Sequence, residues 1–365
     1  MLKWKTFFKG CAIVLGALFL VVIVYIAYLF LSYERIDDMQ AIAVEAPKEK
    51  VATAEKALRV NVEYSAVTYN IGFGAYTPEF SFFMDGGTFS WAESEESVLK
   101  TVTEAGTLVA ELTPDFALFQ EVDLNATRSY HVNQYALLQE MLPEYYSAFA
   151  VNYDSAFLAY PFNQPHGKSN SGLVLFSRFP ITQSVRRSLP ISTTLTKFFD
   201  LDRCYSVSRI PVENGKELVI LTLHLSAYGN SDEIREGQIR MLCEEMEKEY
   251  EAGNYVICGG DFNHDLKALT DDGEERESWA YPFPRESLPE HFSFCIDGLS
   301  EAERTALWDS TRNADMPYTP GETYTVTLDG FIISDNIACV AYETLNTGYR
   351  YSDHDPVCMR FCLLH

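Results

Sequence analysis

The chain has 365 residues, 52 acidic side chains against 28 basic ones, a formal net charge of -24 and a sequence pI near 4.6. A surface this acidic repels long polyanions unless cations or a local basic patch intervene, so non-specific nucleic-acid binding is disfavoured, while 47% apolar and 14% aromatic residues are ample for a packed core. The eight cysteines are scattered singly with no CxxC pair, which speaks against a disulfide framework or a structural zinc site, and Cys258 and Cys358 fall in strand-like runs as small hydrophobes.

Residues 10–32, GCAIVLGALFLVVIVYIAYLFLS, carry no charge and are long enough for one helix across a hydrocarbon core of about 30 Å. A cleaved leader has an apolar region of about 7 to 15 residues ending at small side chains. This run ends instead in Tyr28, Leu29, Phe30 and Leu31, so an uncleaved membrane anchor is expected. Lys3, Lys5 and Lys9 precede it, and Glu34, Asp37 and Asp38 follow. The positive-inside bias then makes residues 1–9 a cytoplasmic tail and puts the rest outside, in a single-pass cell-membrane protein with an extracellular globular domain. The polar, Ala-rich segment that follows is expected to be a stalk over 33–60, partly helical and interrupted at Pro47. The globular domain then occupies 61–365.

Within it, short β-rich runs alternate with fewer helical patterns. Strands are expected at 63–71, 115–122, 171–179, 217–226, 255–262, 326–334 and 355–363, several apolar at nearly every position and therefore buried on both faces. Asn214-Gly215 between two such runs marks a hairpin. One helix is expected from Ser94 to just before Pro114 and another from Ser231 to Gly253, the second with Ile234, Ile239, Leu242 and Met246 on one face. Helices covering sheets in an α/β sandwich fit this pattern.

Polar residues interrupt or end these apolar strands: Asn70, Glu121, His224, Asp261 with Asn263, Asp329, and Asp353 with His354. Each alone has an ordinary explanation as a turn residue, a solvated strand end or a hydrogen-bonded core histidine. The two glycines before Asp261 are the exception, since they bring that backbone close to something.

In order, the chain carries YN at 69–70, QE at 120–121, SG and SRFPI within 171–181, HLS at 224–226, GDFN at 260–263, LDGFI at 328–332 and SDHDP at 352–356. From about Glu63 to Phe361 this series resembles the endonuclease/exonuclease/phosphatase superfamily. The resemblance implies a deoxyribonuclease I-like, four-layer α/β sandwich of two packed, mainly antiparallel sheets flanked by helices, and Mg²⁺-dependent cleavage of phosphate esters, with Mn²⁺ as the alternative ion. It implies Glu121 as principal metal ligand with Asn70 and Asp353 beside it, and Asp261 as base for the attacking water. Asn263 would orient that water or a phosphate oxygen, His224 and His354 would bind phosphoryl oxygens, and Asp329 would accept from the His354 ring.

These residue types suit the chemistry, because hydrolysis needs an in-line water, a base and neutralisation of developing charge, and Mg²⁺ prefers carboxylate oxygen. Asp355 is expected to be structural, and His264 and Asp265 to cap the next turn. Arg128, Lys168, Arg203 and Arg209 are weaker candidates for phosphate contacts, of which Arg128, Lys168 and Arg203, with Asn70, are carried forward as substrate-binding residues. The aromatic stretches 80–91 and 145–162 line either a pocket or the core. The resemblance implies a lipid head group, nucleotide or nucleic acid as substrate, and it is expected to be met at the membrane without an obligate protein partner. The alternatives are an anchored endonuclease and a catalytically silent binding protein on the same fold.

Overall fold

The computed structural model describes residues 2–33, 35–49, 56–192, 194, 201–226, 232–268 and 280–365. Two seven-stranded sheets pack face to face. The first runs, in spatial order, Gln40–Ala41, Gln183–Ser188, Cys204–Pro211, Glu217–His224, Tyr255–Asp261, Asp329–Ser334 and Phe292–Phe294. The second runs Ile337–Thr344, Val357–Leu363, Glu63–Asn70, Phe116–Ala126, Ser169–Ser177, Tyr146–Asp154 and Val44–Glu45. The expected α/β sandwich is thus what the chain forms.

Neighbours in these sheets are antiparallel except for one parallel pair near the centre of each. Glu63–Asn70 pairs with Phe116–Ala126, and Glu217–His224 with Tyr255–Asp261. A parallel pair needs a crossover, and helices supply both. Glu95–Leu112 joins the first pair and Asp232–Glu251 the second. Ser94 caps the first helix by accepting from the Ser97 N–H, and the polar/apolar spacing of each helix agrees with its expected span. Position 231, the expected start of the second, lies outside the described residues.

The nearly unbroken apolar runs follow from double-sided burial. Along one strand Phe116 and Leu118 enter the core between the sheets, while Ala117 and Phe119 pack with Val98, Val102 and Val109 under the flanking helix. Ser169–Ser177 repeats the alternation, with Leu175 inward and Val174 and Phe176 toward the helix side. Each such side chain contributes about 1.5–3 kcal/mol by leaving water. The Asn214-Gly215 hairpin forms as expected, pairing Pro211 with Glu217 and placing Gly215 at φ 82°. All eight cysteines are free thiols.

The segment expected to be a stalk is different. Gln40–Ala41 pairs with Arg186 and Val185 at the edge of one sheet, and Val44–Glu45 pairs with Ala148 and Ser147 at the edge of the other. Leu58 is fully buried and donates its N–H to Pro211 O. Among the described residues of 33–60 there is no helix, because Ile42, Val44 and Val60 find apolar cover against the sandwich that an isolated stalk could not offer. Residues 34 and 50–55 of that expectation lie outside the described residues.

The N-terminal helix Leu2–Ser32 includes a span, Phe7–Ser32, long and apolar enough to cross a membrane, with mean hydropathy 2.9.

Candidate active site

The carboxyl ends of the two parallel pairs meet across the sandwich. Register places Asn70 beside Gln120 in one sheet and Asp261 beside His224 and Asp329 in the other. The two ends are joined directly, for Asn70 Nδ2 donates to Asp261 Oδ2 at 3.1 Å. At Gly260 the chain takes φ 146°, and a Cβ there would stand 2.0 Å from Leu223 O, so this approach of neighbouring strands requires glycine.

Asp261, 1% exposed, is held from three sides. Its Oδ1 accepts the Asn263 N–H at 2.9 Å, and its Oδ2 faces Asn70 Nδ2 and His224 Nε2, the latter at 3.3 Å. Burial and then Asp329 raise its pKa above the carboxylate range, while His354 and the donated hydrogen bonds work against that rise. His224 is kept neutral, burial lowering its pKa well below the usual value with Arg203 and His354 adding to the effect. The structure therefore sets its Nε2 against the candidate base, whereas the family resemblance gave this ring to a phosphoryl oxygen.

His354 lies between two aspartates. Its Nδ1 is 2.7 Å from Asp329 Oδ2 and its Nε2 3.8 Å from Asp261 Oδ2. Burial opposes charge on the ring, but Asp329, Asp353 and Asp261 outweigh it and hold the pKa well above the usual value. Asp329 is fixed in turn, its Oδ2 accepting from Ser310 Oγ at 2.7 Å and Thr311 Oγ1 at 3.1 Å. Ser310 and Thr311 carry no local sequence signal; they sit in a two-residue loop-and-strand piece that only the fold brings under Asp329.

Glu121 occupies a β-bulge between Phe119 and Val122 and has φ 56°, a conformation uncommon for a side-chain-bearing residue. The bulge breaks the alternation of the strand, leaving Glu121 Oε1 3.5 Å from Asn70 Nδ2. Burial raises its pKa, Arg128 opposes that and Asp353 reinforces it. Asp353 follows Ser352, whose hydroxyl donates to Asn70 O at 2.8 Å and so ties the last motif to the first. Glu121 and Asp353 have no ion-pair partner among the described residues. Their carboxylate oxygens are of the kind a hard divalent cation takes, while Asn70 turns Nδ2 toward Glu121 and its Oδ1 accepts the Gly72 N–H at 3.0 Å. Asp261, Asp329 and His354 have ligand atoms that all lie within 4.8 Å of one another. Asp329 Oδ2 is committed there to Ser310, Thr311 and His354, and its buried Oδ1 is without a hydrogen-bond partner among the described residues.

Asn263 has φ 50° and donates Nδ2 to Leu225 O at 2.9 Å, which leaves its side-chain oxygen to accept. Arg203 is 4% exposed, and its Nε and Nη1 are without a hydrogen-bond partner among the described residues. It lies near enough to act on the charge of both Glu121 and His224. The other three candidate cations have partners elsewhere. Arg128 makes a two-point pair with Asp123, at 3.2 and 2.9 Å, and stacks over Phe73 with its guanidinium carbon 3.9 Å from the ring centroid. Lys168 is largely exposed and reaches Asp154 at 3.7 Å, and Arg209 pairs with Glu217 and Glu249. Asp123 was missed because its partner is five residues away in a surface-like stretch.

Asp355 is structural, as expected. It accepts from Trp308 Nε1 at 2.8 Å and from the backbone N–H of Thr347 and Tyr349. Asp265 accepts from the N–H groups of Lys267 and Ala268, closing the turn after the GDFN motif.

A family model described as Endonuclease/Exonuclease/phosphatase family matches residues 67–354. Among solved structures, the chain is similar to an endonuclease/exonuclease/phosphatase from Bacteroides vulgatus at 16% identity and TM-score 0.55, covering 83% of this chain and 100% of that one. A protein from Beutenbergia cavernae described in the same words aligns at 18% identity and TM-score 0.54, over 83% of this chain and 72% of that one. D. rerio TDP2, solved with a single-strand DNA product, aligns at 15% identity and TM-score 0.52, over 82% of this chain and 99% of the other. No curated protein matches the sequence. These three structures share the fold with this chain, and the family model spans every motif that converges on Asp261 and His354. The chain belongs to the endonuclease/exonuclease/phosphatase family and is a phosphoric ester hydrolase.

Proposed function

We propose that the protein is a Mg²⁺-dependent phosphodiesterase or phosphatase working at the outer face of a membrane. The observation that carries this reading is the alignment of Asp329, His354 and Asp261, in which one histidine is held between an orienting carboxylate and a candidate base. Glu121, Asn70 and Asp353 would hold the ion, which when bound supplies positive charge to offset that developing on the phosphate. Asp261 accepts the proton of the attacking water, and Asn263 aligns that water through its side-chain oxygen. His224 steadies Asp261. With Nδ1–H directed at Asp329, His354 presents Nε2–H to a phosphoryl oxygen, and it can return a proton to the leaving oxygen. Arg203 is a cation available for a second phosphoryl oxygen.

A small or lipid-borne phosphate ester is the preferred substrate over duplex DNA. Long duplexes are held by several Lys or Arg contacts to phosphates, each adding about -0.9 to the salt slope. Here the net charge is -24, and Arg128 and Arg209 are already paired with carboxylates. Side-by-side kcat/KM values with Mg²⁺, on phosphoinositides, sphingomyelin, nucleotides, RNA and plasmid DNA, each with an EDTA control, test the assignment. Turnover of a lipid or nucleotide that EDTA abolishes supports it. Efficient nicking of plasmid at physiological salt, with the small and lipid substrates untouched, would make the protein an anchored nuclease instead.

A further inference from the structure

Residues 156–163, Ala-Phe-Leu-Ala-Tyr-Pro-Phe-Asn, form a loop that turns large rings outward: Phe157 is 42% exposed, Tyr160 64% and Phe162 85%. This loop is built into the domain. Leu158 bridges to Gly167, Gln164 N donates to Pro161 O, Ser90 Oγ donates to Gln164 O at 2.6 Å and Trp91 Nε1 to Pro165 O at 2.7 Å. The ring of Tyr160 lies 5.9 Å from that of Phe83, whose own loop exposes Met84 and Phe89. The two aromatic stretches noted in the sequence therefore join as one surface.

That surface touches the end of the apolar helix. Tyr25 Oη donates to Phe157 O and accepts from the Ala159 N–H, both at 3.0 Å, and Tyr28 Oη accepts from the Phe157 N–H at 3.0 Å. Ser32 ends the helix and Gln40 already pairs with Arg186, while Arg35 binds Asp202 at 3.0 Å, so the connection is too short and too well fixed for the domain to swing away. A 26-residue span rises about 39 Å at 1.5 Å per residue, more than the roughly 30 Å of hydrocarbon, so its tyrosine-bearing end belongs at the membrane–water boundary.

We infer that the loop 156–163 is a membrane contact, with Phe157, Tyr160 and Phe162 seated in the interfacial layer of the same bilayer that the helix crosses. This rests on reading Phe7–Ser32 as a span. The three hydrogen bonds fix the depth of Phe157 and Ala159 at that of Tyr25 and Tyr28. At that level exposed rings gain by leaving water, and amphipathic Tyr is suited to the boundary. The Phe83–Asp85 turn belongs to the same surface, and ring contacts lead from it to the site: Phe83 lies 5.0 Å from Phe82, Phe82 lies 5.8 Å from Tyr76, and Tyr76 and Asp353 both lie against Gly72. The candidate site is thus connected to a surface held at head-group level, which deepens the proposed function toward phosphate esters presented by the bilayer.

The test uses the full chain in phosphatidylcholine vesicles containing lipids brominated near the head of the acyl chain. Phe162→Trp reports the loop, exchanging one ring for another at a largely exposed side chain beside Tyr160. Phe19→Trp, in the middle of the helix, reports the span. The emission added by each tryptophan should be lost to bromolipid, that of Phe162→Trp being protected from aqueous iodide. Quenching of Phe19→Trp alone, with Phe162→Trp reached by iodide, would overturn the loop contact and leave the span. Protection of Phe162→Trp from both quenchers would overturn it in favour of a protein partner or second copy. Insensitivity of both positions to bromolipid would remove the span and the contact with it. None of these readings depends on catalysis, so a wrong substrate assignment would leave them unchanged.

Discussion

Asp329 Oδ2 and His354 Nδ1 are 2.7 Å apart, and this bond decides which ring nitrogen of His354 faces the catalytic cleft. Asp329→Asn keeps the shape but removes the negative charge that holds the ring in place. We expect kcat to fall by roughly 10- to 100-fold, the usual cost of losing an orienting partner. Because Asp329 raises the His354 pKa, the basic limb of the kcat–pH profile should move to lower pH in the variant. A variant with wild-type kcat and an unmoved limb would show that the bond is only structural.

Arg203 is expected to bind substrate through a guanidinium whose Nε and Nη1 are without partners among the described residues. Arg203→Ala should lower kcat/KM by about 10- to 100-fold, equivalent to the roughly 1.5–3 kcal/mol of one charged hydrogen bond. An unchanged kcat/KM in a variant with a wild-type circular dichroism spectrum would assign the arginine to packing.

The His166 ring is 3% exposed and rests against Phe82 and Phe83, with Nδ1 3.2 Å from Ser90 O. Burial, with help from nearby Arg128, lowers its pKa from 6.5 to about 4. Between those values the unfolded chain binds a proton that the folded chain refuses. Stability contributed by the neutral ring is therefore complete above about pH 6.5 and is lost as pH falls toward 4, by on the order of 2–3 kcal/mol. Urea midpoints of the wild type and of His166→Asn, measured across this range, should converge as the solution is acidified. Parallel curves would show that another group governs the acid limb.

The charge asymmetry around the apolar helix gives an expectation for topology, with Lys3, Lys5 and Lys9 before it and Asp37 and Asp38 after it. Protease added to intact cells should digest the globular domain. Digestion only after lysis would place the domain inside.

Most of the site could be read from the sequence because its residues are polar interruptions of apolar strands. Asn70, His224 and Asp261 end strands whose other positions must be buried on both faces, so a polar side chain there has a cost that function or bonding has to offset. What could not be read depended on tertiary neighbours. Ser310 and Thr311 fall in a turn-like run and gain meaning only when they are folded beneath Asp329. Arg128 looked like a cation at a cleft, but Asp123 and the face of Phe73 hold it. The 33–60 segment lacked an amphipathic period, which suggested a stalk. Two-residue edge strands such as Gln40–Ala41 and Val44–Glu45 are too short to show a period at all, and the sheets that accept them are made from distant sequence.

The most direct test of the central claim is the turnover of Asp261→Asn and His354→Ala on a verified phosphate-ester substrate in Mg²⁺. In the proposed mechanism both side chains act at the centre where charge develops, so each change should reduce kcat by a factor on the order of 100 or more, with the folded spectrum retained and EDTA abolishing the wild-type rate. Near-wild-type turnover by either variant would contradict the assignment of base and phosphate-binding histidine.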